Sequence, residues 1–357
     1  MKTYIKFLSK IFLGSFLNIF LISFCLIFIL NLLTELDFFK NIDVSTYFPI
    51  YLSLLNTPSL IFEMFPFIFL IATQLFFHDL GNNNEINTFK YSGLKNTKIL
   101  IIINILTLFL GIIIMSFYYN LSSNLKSFYL ELKSSYTTDN KYLAVITNNG
   151  LWIKDVFEDR ILMINASKIE ENYIVNVYIS EFDKNFQIIR NIKSKKIDVK
   201  NKKWLIYDAE IYKQNFKIDK DQIELDTNFD YEIIQNLFSN LSSLSLMELI
   251  EMRKNYIKLN YSINDLNLHL LNLFSYPFYL VLMTLISSVI MLNSKNLKNK
   301  YLKIIFGLIT SVIIYYLYNY FYVLGLTEKI NVNLSILLPL FILLIINSYF
   351  LRNINAK

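Results

Sequence analysis

The chain has 357 residues, a formal net charge of +6 and 54% hydrophobic residues, with only 17% charged. Soluble domains average about 25% charged residues, so an ordinary cytosolic enzyme is excluded. One cysteine, Cys25, rules out an internal disulfide, and with two histidines it leaves too few soft ligands for a structural zinc site.

A bilayer-spanning helix needs about 20 consecutive apolar residues. Six stretches qualify in chain order: 11–34, 56–77 (broken only by Glu63), 99–117, 270–291, 304–322 and 336–351. They fall as three plus three around a long insert, residues 118–268. The first follows Lys2, Lys6 and Lys10, as a signal peptide would. Its apolar run is far longer than a signal core of ~7–15 residues, and no small-residue cleavage site follows. It reads as a retained anchor.

Charge then sets the orientation. The N-terminus, the 78–98 loop, the loop between the fourth and fifth spans (Lys295, Lys298, Lys300, Lys303) and the tail (Arg352, Lys357) together hold 12 basic residues against Asp79 and Glu85. The opposite short loops hold Lys40 and Lys329 against Glu35, Asp37, Asp43 and Glu328. The positive-inside rule puts both termini and the 78–98 loop in the cytoplasm, with the insert outside. The insert itself carries 20 basic and 21 acidic residues. A nucleic-acid protein concentrates its basic surface on a folded domain; here the excess positive charge is a matter of topology, and no nucleic-acid partner is expected.

The insert reads as β structure, with strands expected at 142–147, 151–154, 161–169, 173–182, 187–199 and 203–212, and a tight turn at Asn148-Asn149-Gly150. In the fourth of these, Tyr173, Val175, Val177 and Ile179 alternate with Ile174, Asn176, Tyr178 and Ser180, which predicts one buried face. An antiparallel sandwich or jelly roll is the natural reading. Beyond it, Ser245-Leu246-Met247-Glu248 is a capping-box pattern that predicts a helix to about 259. Ser262 and Asp265 give a looser version just before the fourth span.

The cytoplasmic loop predicts a short helix at 83–92, closed by Gly93 in a left-handed conformation, with Ile86, Phe89 and the stem of Lys90 on one face. Such a helix either presents a knob to a soluble motor or lies on lipid headgroups. The sequence has no P-loop motif, no H-E-x-x-H and no G-x-S-x-G. Glu63, beside Pro66, is the one ionisable residue within an expected span, and an intramembrane carboxylate is a functional hypothesis by default. No pair of catalytic side chains accompanies it, and no cofactor, metal site or catalysis is expected of the chain.

These features together resemble the LptF/LptG permease family, the membrane subunits of the lipopolysaccharide export ABC transporter. The most specific residues are Phe62-Glu63-Met64-Phe65-Pro66, Glu85-Ile86 with Ser92-Gly93, and Gly150-Leu151-Trp152-Ile153-Lys154-Asp155. Glu181-Phe182-Asp183, Lys203-Trp204 and Leu244-Ser245-Leu246-Met247-Glu248-Leu249 complete the set. Glu35-Leu36 and the Glu63-x-x-Pro66 pattern look more like LptG than LptF.

The resemblance implies six membrane helices with an inserted periplasmic β-jelly roll. Spans one to three would occupy 1–117 and the jelly roll 118–243; connecting helices at 244–268 would lead into spans four to six at 269–357. It implies a heterodimer with a paralogous LptF-like permease, an LptB-like ATPase dimer docked beneath, and a periplasmic LptC/LptA-like jelly-roll bridge that receives lipopolysaccharide. Glu85, Ile86, Phe89, Lys90 and Gly93 are the residues implied for coupling to the ATPase. Asn31, Glu35, Glu63, Pro66, Tyr316, Asn319 and Tyr320 are those implied for the substrate cavity or its gate, between span one of one subunit and span five of the other. Family members often carry basic residues at the outer end of span one; this chain has Asn31, Glu35 and Asp37 there, with Lys40 the nearest cation. Two other readings stay open at this stage, a membrane enzyme that modifies an envelope glycolipid and a periplasmic assembly scaffold.

Overall fold

A computed structural model describes residues 3–83, 85–134, 136, 151–157, 160–170, 172–213, 216–231, 233–234, 240–258, 262–293 and 300–352. The strand expected at 142–147 and the Asn148-Asn149-Gly150 turn lie outside the described residues, as do Lys295, Lys298 and Lys357. The chain divides into two units, Met1–Tyr129 with Asn264–Lys357, and Leu130–Ile263.

The first unit is helical. Helix α1 (Thr3–Phe38) is followed by α2 (Tyr47–Asn82) and the short α3 (Glu85–Tyr91). A third span begins as α4 (Asn96–Ile113), passes through a π-helical turn (Ile114–Tyr118) and continues as α5 (Tyr119–Ser134). After the insert, which holds α6 (Leu246–Lys258), come α7 (Asn264–Asn293), α8 (Lys300–Leu326) and α9 (Val332–Leu351). Among the described residues six helices are long and apolar enough to cross a membrane. Several outrun the apolar stretches that announced them. A helix end left in lipid would expose unpaired backbone, so continuing the helix into the polar zone is the favourable choice.

Spans two and four, α2 and α7, form the centre. Their seam shows how a proline is accommodated in an apolar medium. Pro66 has no N–H, so the Phe62 carbonyl one turn earlier has no helical partner. The Tyr276 hydroxyl of α7 donates to that carbonyl, and its ring stacks on Phe62 with centroids 4.7 Å apart. Further along, Ser287 Oγ donates to the Leu70 carbonyl at 2.7 Å. The first bond satisfies a backbone group that lipid cannot, and the second gives the buried Ser287 hydroxyl an acceptor. Helix α1 lays Leu8, Phe12, Phe16 and Ile19 against this centre at helical spacing. Phe16 meets Phe69 at 4.8 Å and Phe12 meets Phe76 edge-on at 5.8 Å.

The second unit is the expected all-β insert. Strands β1 (Leu151–Phe157), β2 (Arg160–Ala166), β4 (Tyr173–Phe182), β5 (Ile188–Asp198), β6 (Lys203–Lys213) and β7 (Phe216–Asp226) follow one another as an antiparallel meander, with β3 (Lys168–Glu170) also paired to β4. The run expected at 161–169 is therefore two strands, divided at Ser167. Strand β7 is an addition to the sequence reading. It buries only Leu225, so β6 holds it by the backbone ladder and apolar side chains announce little.

The face assignment of the fourth expected strand needs correction. Ile174 is buried together with Val177 and Ile179. Asn176 adopts φ 52 and is skipped in the pairing with β5, so the alternation slips by one residue there. Asp208 on β6 does the same at φ 49. Ser194 fastens the irregularity: its Oγ donates to the Tyr207 carbonyl at 2.6 Å and accepts from Lys196 N at 3.1 Å. At each of these places one residue is skipped on both paired strands, so the register is kept while the alternation of faces changes.

After the strands, a 3₁₀ turn (Leu241–Ser243) leads to α6 (Leu246–Lys258). The capping box forms as the sequence predicts. The Ser245 N–H donates to Glu248 Oε2 at 2.7 Å, and the Glu248 N–H points back to Ser245 Oγ at 3.4 Å.

Candidate functional site

The residues implied for the gate end of span one lie on α1 and turn inward. Asn31 is buried; its amide donates to the Ser53 carbonyl at 3.1 Å, and its Oδ1 accepts from Asn56 Nδ2 at 3.1 Å. One turn on, Glu35 is 1% exposed, and Oε1 accepts from the Tyr129 hydroxyl at 2.8 Å. Two polar links therefore tie the same end of span one to span two and to the extension of span three. A carboxylate taken this far out of water needs such donors.

Around Pro66 the third span closes in. Its π-turn places two consecutive tyrosines: Tyr118 donates to the Pro58 carbonyl at 3.2 Å, and Tyr119 shares a 3.1 Å hydrogen bond with His269 Nε2. Such π-turns concentrate where a helix must aim side chains outside the regular repeat. Glu63 is exposed, one residue from the Phe62–Tyr276 stack, and its charge acts on Lys126 of α5. Pro66 itself is buried, and its effect passes through the Phe62 carbonyl that Tyr276 takes up.

Span five carries the remaining cavity residues. Tyr316 and Tyr320 are 68% and 63% exposed, Asn319 is half-buried, and Tyr318 points the other way. Tyr318 donates to Asn272 Oδ1 at 2.7 Å and stacks on Tyr279 at 4.7 Å. Tyr316 and Tyr320 continue an uncovered stripe with Ile305, Ile309, Ile313 and Val323. Span one shows a matching stripe of Leu21, Ile22, Leu26, Ile29, Leu30 and Leu33. In the most apolar stretch of each helix the buried share is 17% for span one and 22% for span five, against 61% and 72% for spans two and four.

At the other end of the helices, α3 folds as the loop sequence predicts. Leu94 N donates to the Phe89 carbonyl at 2.8 Å and Gly93 takes φ 77, a conformation open to a residue without Cβ. Ile86 and Phe89 pack back on the helical core, Phe89 meeting Phe7 at 6.1 Å. The outward side offers Asn87, Thr88 and a 91% exposed Tyr91, which the sequence reading missed because it followed the apolar face. Glu85 is half-buried, and its Oε2 is covered without a hydrogen-bond partner among the described residues. Lys90 lies within the helix and its side chain outside the described residues.

In the second unit the motif residues hold the fold together. Asp155, fully buried, accepts from Asn228 N at 2.9 Å and from Asn228 Nδ2 at 2.8 Å. Glu181 takes Arg160 at 3.1 Å and Arg190 at 2.5 Å. Asp183 caps its turn through Asn185 N and Gln187 N, and buried Trp204 donates to the Phe229 carbonyl at 2.8 Å. Burial raises the Asp155 carboxyl above the usual carboxylate range, although the Asn228 bonds pull the other way.

Six apolar helices with a β-rich insert between the third and fourth describe a multi-pass membrane protein whose first and fifth spans leave apolar faces uncovered. The sequence matches the family model of the lipopolysaccharide export system permease LptF/LptG over residues 6–353. Comparison with curated proteins gives no significant match. The chain belongs to the LptF/LptG family, and so to the inner-membrane permeases of lipopolysaccharide export.

Proposed function

We propose that this chain is one of two permease subunits of an ABC transporter that draws lipopolysaccharide sideways out of the inner membrane. The observation that carries the reading is the contrast among the spans. One and five leave long apolar faces uncovered on either side of a closed centre. A second, paralogous permease packing its span five on this span one, and its span one on this span five, covers both faces and encloses an apolar chamber between them. The Glu35-Leu36 and Glu63-x-x-Pro66 patterns favour the LptG member of the pair. Both termini and α3 lie in the cytoplasm in this reading, and the β insert lies in the periplasm.

The physics fits the cargo. Exposing acyl chains to water costs about 0.8 kcal/mol per methylene, so a large amphiphile must move through apolar surface at every stage. Asn31 and Glu35 fasten the outer end of span one and act as gate residues. Tyr316, Asn319 and Tyr320 line the chamber, with Glu63 and Pro66 at its inner wall. The β unit receives the glycolipid and passes it to a periplasmic jelly-roll bridge. The chain hydrolyses nothing; a cytoplasmic ATPase dimer docks under α3, where Glu85 and the outward side of the helix meet it.

Purification in detergent tests the reading. The chain is expected to bring down a stoichiometric ATPase, and Glu85→Lys is expected to abolish that association while the second permease stays bound. A photoreactive side chain at 316 or 320 is expected to capture glycolipid in cells. An insert that proves accessible from the cytosol, or an ATPase that still binds with residues 85–91 scrambled, overturns it.

A further inference from the structure

At the end of the helical unit nearest α3, one polar residue sits where nothing in the apolar pattern calls for it. Gln74 of α2 is fully buried among Ala72, Phe76 and Phe77. Its Nε2 donates to the backbone carbonyl of Lys303 in the first turn of α8 at 3.3 Å. In a regular helix that carbonyl already receives the N–H of the residue four further on, which is Gly307. The amide reaches it because Gly307 has no side chain: a Cβ there would lie 1.8 Å from Gln74 Nε2. The same lysine ties in the third helix, since Lys303 Nζ donates to the Met291 carbonyl near the end of α7 at 3.0 Å. That carbonyl is one that a helix end leaves without an intrahelical partner.

Spans two, four and five are thus joined at one point through Lys303. The joint is retained at a penalty, because Gln74 Oε1 is buried without a partner among the described residues. A leucine would fill the space and leave no such group.

We propose that Gln74 is a positioning residue for transport, the rigid joint through which motion of α3 reaches span five. This rests on the transporter reading above. Helix α2 leads into α3 across Asn83 and residue 84, so displacement of α3 by a docked motor acts on α2 first. Gln74 lies eight residues before the end of α2, about 12 Å at 1.5 Å per residue. It hands the displacement to the first turn of α8, the helix that carries Tyr316 and Tyr320. The bond stays closed through the cycle, and span five moves with span two.

The test uses the full chain in its complex with the second permease and the ATPase, reconstituted with lipopolysaccharide. Gln74→Met keeps the length of the side chain and removes the donor. The expected result is ATPase turnover within about twofold of the parent and glycolipid release to an acceptor reduced about tenfold or more, an uncoupling that plain loss of stability would not give. Gly307→Ala expels the amide and is expected to do the same. The double variant Gln74→Ala with Gly307→Ala has no clash left and no bond, and is expected to stay uncoupled.

A covalent check covers the case in which Gln74→Met fails to assemble. Cysteines at 74 and 307, in a chain with Cys25→Ser, lack the amide donor and are expected to be uncoupled while reduced; once linked by oxidation, the complex is expected to recover transport toward the parent rate. Full transport by Gln74→Met or by the double variant overturns the joint, and so does arrest by the cross-link. If the parent complex itself moves no glycolipid, it is the transporter reading that fails.

Discussion

Spans two and four on one side, and spans one and five on the other, have nearly the same composition and opposite surroundings. All four are apolar enough to cross a membrane. The first pair is covered on most sides, and its two helices are joined to each other by the polar contacts of Tyr276 and Ser287. The second pair turns leucines, isoleucines and tyrosines outward. Lipid tails solvate such faces as well as protein does, so burial of apolar surface cannot by itself decide which helix goes inside. Backbone and side-chain polar groups decide it. Pro66 frees a carbonyl that only a neighbouring helix can satisfy, and that requirement brings α7 against α2.

The contrast breaks first under truncation. Phe69→Ala, within the aromatic packing of α1 on α2, is expected to lower stability by about 3–5 kcal/mol. Leu26→Ala on the uncovered side of span one is expected to stay within about 0.5 kcal/mol in the isolated chain. Thermal unfolding in detergent measures both. Equal losses would mean that span one is covered in the isolated chain, and the argument for a second permease would lose its footing.

A single hydroxyl sharpens the same contrast. Tyr276→Phe keeps the ring stacked on Phe62 and removes the donor, leaving the Phe62 carbonyl unpaired beside Pro66. The expected loss is about 1–3 kcal/mol. Tyr320→Phe makes the same chemical change on the uncovered stripe and is expected to leave unfolding unmoved. If Tyr276→Phe is silent, the Phe62 carbonyl finds another donor and the seam is held by packing alone.

How much of this was legible beforehand follows from the same physics. The six spans could be read directly, because hydrocarbon demands long uninterrupted apolar helices. The Ser245–Glu248 box and the Gly93 stop were legible because each needs only local residues. Strand β7 was not, since its stability comes from the β6 ladder. The slip at Asn176 was hidden for a related reason, as its positive φ breaks an alternation that the side chains alone would continue. Of the candidate residues, Glu85 near the start of the loop helix and the aromatic run at 315–322 were visible in the sequence, and their roles are those proposed above. The inward turn of Asn31 and Glu35 depends on Ser53, Asn56 and Tyr129, which are distant in sequence. Gln74 carries no charge, so the ionisable residues within the spans give no sign of it. An amide in the run Phe69-Leu70-Ile71-Ala72-Thr73-Gln74-Leu75-Phe76 was the available signal.

The β unit offers the smallest and most specific effect, and it tests whether its motif residues serve the fold. Asp155 is buried and its carboxyl is raised from 3.8 by desolvation, so the native state holds the proton more tightly than the unfolded chain does. Between that ordinary value and the raised one, the folded protein binds more protons, and its stability falls as pH rises through the window. Asp155→Asn does not titrate, and its mismatch with the two Asn228 donors is the same at every pH. The advantage of the parent over Asp155→Asn is therefore expected to be greatest at the acid end, to narrow as pH rises, and then to level off. Both tryptophans of the chain, Trp152 and Trp204, lie in this unit, so denaturant unfolding followed by their fluorescence reads it within the intact protein. An advantage that instead grows with pH would show that the Asn228 bonds outweigh burial. Asp155 would then be held as a carboxylate, a charge kept inside the sheet for more than its fold.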